Sequence, residues 1–286
     1  MKEKNKNLIL KLKKKKVKLL GFEYRPFYNL FSPFYEKGIR EEAIILYGYC
    51  NFNCIYCKRR GCFKNQNGSI INAREFNLSE IYDFIEKQEN ETTMIRVSGG
   101  EPLIAPSKLL DYIFEKAKRN NFVVSIATNM SLPKRLERIL PKLDYLAGDF
   151  KASKRYWEKV TKMPLDFYFS TKLSWIKWAE SKADGEIRIN IFPFTNFDDV
   201  KEIMDFIIKL KRVPTIVFRA FRSVSWLNWP STSNDHIIDL AEKTSKFYTL
   251  PIIVRLHWKK GTLIISEKVN ILDTSYFDIF HLVLKK

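Results

Sequence analysis

The sequence is short of the features that mark fibrous, linker-like or membrane-spanning chains. Glycine is scarce, at 10 of 286 residues, which excludes collagen-like and glycine-linker classes. No apolar run approaches the roughly 18 residues that a membrane span needs. Leu8-Ile9-Leu10 is too short for the apolar core of a secretory signal, and lysines follow it, so the expected compartment is the cytoplasm. Cysteine is limited to four residues. That is too few for a disulfide scaffold in a chain this long, and clustered cysteines in a reducing compartment bind metal or carry chemistry. Global disorder is excluded, because 45% of the residues are hydrophobic and 14% aromatic.

Acidic residues are also under-represented. Asp+Glu number 32 against 50 Lys+Arg, a net charge of +18. Residues 1–18 hold nine lysines and one glutamate, and the remainder is still basic. Such a surface attracts polyanions, RNA among them, or an acidic partner protein. A Lys-rich, Gly- and Ala-poor composition accounts for the same charge with no partner at all.

Along the chain, residues 1–41 read as a basic N-terminal extension. Its second half, 24–35, spaces aromatics and prolines as a packed irregular segment would. From Ala43 onward strands alternate with helices. Segments 43–47, 93–97, 122–127, 144–150, 186–192, 215–220 and 252–256 read as strands. Segments 78–86 (capped by Ser79), 107–119, 133–140, 153–162, 170–181, 197–211 and 234–247 read as helices. The implied fold class is α/β, a partial (βα)6-type barrel of about six parallel strands. No low-complexity linker interrupts 43–256. The core is placed at 42–221, and 222–286 form a C-terminal segment without an assigned role. In such folds ligands sit beyond the carboxyl ends of the strands.

Two motifs fall there. Cys50, Cys54 and Cys57 follow the first of these strands with C-x3-C-x2-C spacing. Three thiolates on one short loop suit an iron–sulfur cube with one iron left open. With a fourth ligand (Cys62, His236, His257 or His281) they also suit a structural zinc, and hence a zinc-stabilised RNA-binding module without catalysis. Ser98-Gly-Gly-Glu-Pro102 ends the next strand. Its two glycines let backbone approach a ligand closely, and Glu101 can accept from an ammonium or a ribose hydroxyl.

These residues, with Tyr56 before the last cysteine, resemble the radical S-adenosylmethionine superfamily over roughly residues 43–220. The resemblance implies a single 4Fe-4S cluster on Cys50, Cys54 and Cys57, with S-adenosyl-L-methionine on the open iron. It implies Tyr56 against the adenine, and Gly99, Gly100 and Glu101 at the methionyl amine. It also implies one-electron reduction by a ferredoxin- or flavodoxin-type donor, and a 5′-deoxyadenosyl radical that abstracts a hydrogen atom.

Thr128-Asn129, Asp149-x-Lys151 and Arg188-x4-Pro193 are similar to patterns of glycyl-radical-enzyme activating proteins of the pyruvate formate-lyase type. By that likeness Lys151 and Arg188 face the cofactor carboxylate, Asn129 hydrogen-bonds the cofactor, and Asp149 places a cation or the lysine. Taken alone, Asp149 and Lys151 read as an ordinary strand-end pair. Two departures stand out: Ala127 replaces the acid before the Thr-Asn pair, and Phe221-Arg222 stands where that type has Pro-Tyr-His. Only Cys62 remains beyond the triplet, so a second four-cysteine cluster is excluded. It reads as a small packed residue, a radical-quenching thiol or an unusual ligand. The run Lys58-Arg59-Arg60 reads as a solvated face or an anion contact. Trp226, Trp229 and Trp258 read as packing rather than base-stacking platforms.

The substrate expected first is a glycine of a glycyl-radical partner protein, such as an anaerobic ribonucleotide reductase. The alternative is a nucleotide or RNA base, with small deazapurine-forming synthases in that group.

Overall fold

The computed structural model of the protein describes residues 16–57, 73–88 and 93–256, and the backbone of Thr262–Ile265. Among the described residues ten strands form one sheet: β1 (Lys16–Pro26), β2 (Glu41–Tyr47), β3 (Arg74–Asn77), β4 (Thr93–Gly99), β5 (Val123–Thr128), β6 (Tyr145–Phe150), β7 (Asp184–Ile191), β8 (Thr215–Ala220), β9 (Ile252–Arg255) and β10 (Thr262–Ile265). Their spatial order is β10-β9-β8-β7-β6-β5-β4-β2-β1-β3. From β2 to β9 the pairings are parallel, and β1, β3 and β10 add antiparallel edges. This is the expected α/β partial barrel, with seven parallel strands in place of about six.

Eight helices connect or flank them: α1 (Pro33–Glu36), α2 (Leu78–Glu86), α3 (Ser107–Arg119), α4 (Pro133–Ile139), α5 (Trp157–Thr161), α6 (Leu165–Ala179), α7 (Phe197–Ile207) and α8 (Asn234–Tyr248). Side chains alternate across each strand. Ile45, Val97, Ile126, Leu146, Ile189 and Phe218 point to the helices, where they meet Leu110, Ile113, Phe114 and Trp175 in the main core. Full burial of each such side chain contributes about 1.5–3 kcal/mol. The other face carries Glu42, Arg96, Ser125, Tyr145, Glu186, Arg188 and Asn190, all buried.

That polar face is covered at its lower end by the chain itself. After β1, residues 27–39 pack Phe27 and Ile39 on Met94, Tyr145 and Ala147, and Tyr28 on Val217 and Ile253. Tyr28 Oη donates to Glu186 Oε1 (2.7 Å), Asn29 Nδ2 to Tyr145 Oη (2.6 Å) and Ser32 Oγ to Asp184 Oδ2 (2.6 Å). Asp184 and Tyr145 begin their strands, so this plug closes the amino ends and leaves the carboxyl ends for ligands.

The structure corrects several expectations. Residues 16–26 of the basic extension belong to the sheet: they pair with β2 and β3, with Lys16 on Glu75 at 2.8 Å. The sheet runs past the expected core boundary at 221, through the expected strand at 252–256 (β9) and on to β10. Asn77, not Ser79, caps α2, and Glu80 closes a capping box on its backbone. Helix α6 starts at Leu165, after Pro164, rather than at 170; apolar residues on all its sides (Tyr168, Phe169, Leu173, Trp175, Ile176) blur the period that would mark its start. Segment 153–162 shortens to a tight turn and α5, ended by Lys162 at φ +58°. The start of the tail (1–15), Lys58-Arg59-Arg60, Cys62, Trp258, His257 and His281 lie outside the described residues.

Candidate functional site

The cysteine loop leaves β2 at Tyr47 and runs directly against the turn after β4. Gly100 N donates to Tyr47 O (2.9 Å) and Glu101 N to Tyr49 O (2.6 Å). A Cβ on Gly99 would lie 2.3 Å from Tyr47 O, and one on Gly100 would lie 2.0 Å from Tyr49 O. Gly99 also holds φ +107°. The two glycines therefore serve a close approach, but the backbone they admit is the chain's own, one residue before Cys50.

Glu101 is fully buried. Its Oε1 accepts from Leu103 N (2.9 Å) and Thr128 Oγ1 (2.7 Å), and its Oε2 from Asn129 N (2.6 Å). Burial pushes its carboxyl up to about 7 against these donors. The side chain expected at an ammonium thus already ties β4 to β5. Asn129 is engaged as well: its Nδ2 donates to Asn51 Oδ1 (2.9 Å), and Asn51 Nδ2 donates to Ser131 Oγ (2.9 Å). Asn51, one residue after Cys50, joins the loop to the end of β5.

Farther round, Ile55 N donates to Val160 O (3.0 Å), and Ile55 O accepts from Trp226 Nε1 (2.8 Å). Tyr56 Oη accepts from Asn190 Nδ2 (2.9 Å). The Tyr56 ring meets Phe192 and Phe221 edge-on, at centroid distances of 5.2 and 6.3 Å, and Trp229 extends this wall against Phe192 and Phe194. Trp229 is packing, as expected; Trp226 is half-exposed and bonds the loop.

Cys54 is buried, while Cys50 and Cys57 are partly exposed. Burial pushes the Cys54 thiol up to about 12 and the Cys50 thiol higher still, so ligation to a positive centre must release protons. Among the described residues no group of three or more His, Cys, Asp or Glu is arranged to hold a single metal ion. His236 bonds Thr195 O instead. Among the described residues the three soft donors have no fourth protein ligand beside them, an arrangement that suits a cluster with an open iron.

Beside them, Asp149 at the end of β6 gathers three cations. Lys151 Nζ donates to its Oδ2, Arg188 Nε lies 2.6 Å from its Oδ1, and Arg219 Nη1 lies 3.7 Å away. Arg188 Nη2 also donates to Ala147 O (3.1 Å). Burial alone would raise the Asp149 carboxyl; Arg188, Lys151 and Arg219 overcome it and hold the group well below the usual carboxylate range. Asp149 is the acid these three cations contact, while the buried Glu186 acts on Arg188 and Arg219 from farther down the same face. Asp149, Lys151 and Arg188 stand together as expected from their motifs, whereas Asn51, Asn190, Arg219 and the Trp226 bond join the site without such a motif. Two-residue alternation from Val217 puts Arg219 on the polar face, a signal available in the sequence.

Among the described residues no helix is long and apolar enough to cross a membrane. The model of the Radical SAM superfamily matches residues 44–207, more than half of the chain. The 7-carboxy-7-deazaguanine synthase of Methanothermobacter thermautotrophicus is 29% identical over 134 residues, 46% of this chain and 51% of that protein. That of Methanopyrus kandleri is 26% identical over 123 residues, 38% and 49% of the two chains. The chain thus spans about half the length of the curated relatives it matches. Neither relative is a glycyl-radical activating enzyme, the type expected from the strand-end patterns. The crystal structure of Streptococcus suis SuiB bound to S-adenosylmethionine shares the fold, with a TM-score of 0.55 at 14% identity over 73% of this chain and 48% of SuiB. With the cysteine loop, the Gly-Gly turn and the cation group all at the carboxyl ends of one sheet, the chain belongs to the radical S-adenosylmethionine superfamily, whose cofactors are a 4Fe-4S cluster and S-adenosylmethionine.

Proposed function

We propose that the protein is a radical S-adenosylmethionine enzyme whose substrate or product is a purine-like heterocycle, the class its relatives' name, 7-carboxy-7-deazaguanine synthase, gives for what they make. The carrying observation is the loop of Cys50, Cys54 and Cys57 pinned to Gly99-Gly100 beside the Lys151, Arg188 and Arg219 group that shares Asp149 at the ends of β6 to β8. In this reading the three thiolates hold the cluster, and a ferredoxin- or flavodoxin-type protein reduces it. The bound cluster and cofactor together supply a hydrogen-abstracting radical.

The chain's own residues do the positioning. Gly99 and Gly100 offer backbone to the methionyl end, while Glu101 and Asn129 keep that backbone in place. Tyr56, oriented by Asn190, faces the adenine. Lys151 and Arg188 retain charge for the cofactor carboxylate, although both lean on Asp149. The packed rings of Tyr56, Phe192 and Phe221 exclude water behind the site.

Anaerobically purified protein should carry one cluster's iron and sulfide and, with dithionite, cleave S-adenosylmethionine to methionine and 5′-deoxyadenosine. Cys50→Ala, Cys54→Ala and Cys57→Ala should each abolish both. The holoenzyme should also bind 7-carboxy-7-deazaguanine saturably. Tightly bound zinc without sulfide would overturn the reading. Intact cofactor cleavage without heterocycle binding would overturn its substrate half.

A further inference from the structure

We propose that Arg219 is a specificity-determining residue that binds a carboxylate on the substrate; this rests on the heterocycle reading above. Arg219 is paired in register with Asn190 on β7 and Arg255 on β9. It sits two residues beyond Val217, the register partner of Arg188, and so on the same polar face one layer nearer the mouth. Of the three cations around Asp149 it is the least engaged. Lys151 and Arg188 touch the carboxylate directly and have side chains 16% and 10% exposed. Arg219 stands 3.7 Å off and is 37% exposed, with no other ion-pair partner among the described residues. Its guanidinium therefore keeps most of its five donors for a ligand.

Enclosure at the barrel mouth and the like charge of Arg188 both disfavour its charged form. An anion arriving at Arg219 relieves that repulsion. A planar fork that accepts two oxygens side by side matches a carboxylate. Asn190 holds Tyr56 in the same layer, and Phe221 stands two residues beyond Arg219. A flat ring beside Tyr56 would present an edge substituent to the guanidinium. The ligand class is thus an aromatic heterocycle bearing a carboxylate, distinct from the cofactor carboxylate assigned to Lys151 and Arg188.

The test compares equilibrium binding of 7-carboxy-7-deazaguanine and 7-deazaguanine to reconstituted holoenzyme with S-adenosylmethionine and no reductant. Wild type should prefer the carboxylated ring by about ten- to a hundredfold, the range of a charge-assisted contact. Arg219→Met should erase the preference while leaving affinity for 7-deazaguanine and for S-adenosylmethionine unchanged, which also reports that the variant folds. Arg219→Lys should retain part of the preference. A preference that survives Arg219→Met overturns the proposal and leaves the heterocycle reading standing. Lost cofactor affinity with the preference intact would assign Arg219 to the cofactor and also overturn it. Wild type binding neither ring removes the heterocycle reading, and the proposal with it.

Discussion

Glu101 and Asn129 hold each other: the Glu101 carboxylate accepts the Asn129 backbone N–H at 2.6 Å, while its other oxygen takes Thr128 and Leu103. Two residues that family patterns assign separately to a cofactor are one structural unit joining β4 to β5. Glu101→Ala leaves three buried donors unpaired, at about 1–3 kcal/mol each. Denaturant unfolding should show a loss of several kcal/mol, and Glu101→Gln, which keeps an acceptor but turns an amide N–H toward one of the donors, should lose less. Wild-type stability in both variants would show that the carboxylate serves ligands alone.

Gly100→Ala should be worse for cluster assembly than for the fold. Its Cβ would lie 2.0 Å from Tyr49 O and 3.2 Å from Cys50 N, so the backbone that places the first cysteine must shift. The expected result is protein that keeps its far-UV circular dichroism but incorporates little iron and sulfide on reconstitution. Full incorporation would mean the loop adapts without moving Cys50.

How much of this was legible depended on where the controlling contact lay. The parallel strands were legible because two-sided burial writes β-branched runs such as Ile44-Ile45 and Ile252-Ile253. Strand β3 (Arg-Glu-Phe-Asn) is an edge, with three of its four residues exposed, and leaves no apolar pattern. Lysines at both ends of Lys16-Val-Lys18 hid the start of β1 in the same way. Cysteine spacing and the Gly-Gly-Glu turn are local, so the site's centre was visible. Alternation along β8 turns Arg219 to the polar face but does not say that Asn190 is its register partner on β7, and the Trp226 bond spans 171 residues, a separation that single-sequence periodicity does not encode. The glycines were legible as a need for close approach, though not as to which backbone approaches.

Asp149→Asn should remove the carboxylate that, among the described residues, Lys151, Arg188 and Arg219 all pair with. Breaking a buried pair while leaving its cations costs about 3–5 kcal/mol, so the unfolding midpoint should drop. Acid behaviour should change as well. Because the folded Asp149 pKa lies below its unfolded value of 3.8, its contribution is complete above about pH 4 and is lost as pH falls through the folded value. Wild type should therefore lose stability below pH 4 more steeply than the variant. Added sulfate, by occupying the freed cations, should stabilise the variant more than wild type. An equal acid limb in the two proteins would show that the three cations do not depend on Asp149.

Trp226 reaches from the loop after β8 to the carbonyl between Cys54 and Tyr56, at 2.8 Å. Ile55 is thereby held on both sides, since its own N–H bonds Val160 O. The indole is 49% exposed, so its removal takes little from the core. Trp226→Phe keeps the ring and deletes one hydrogen bond, a net loss of about 0.5–1.5 kcal/mol, or roughly two- to tenfold in an equilibrium. That loss falls on the loop segment between the last two cysteines. Thermal unfolding of the variant should match wild type. Iron extraction by a chelator from the anaerobic holoenzyme should run several-fold faster, and faster again in Trp226→Ala. If both variants release iron at the wild-type rate, the Val160 bond and the Tyr56–Asn190 contact hold that half of the loop without the indole.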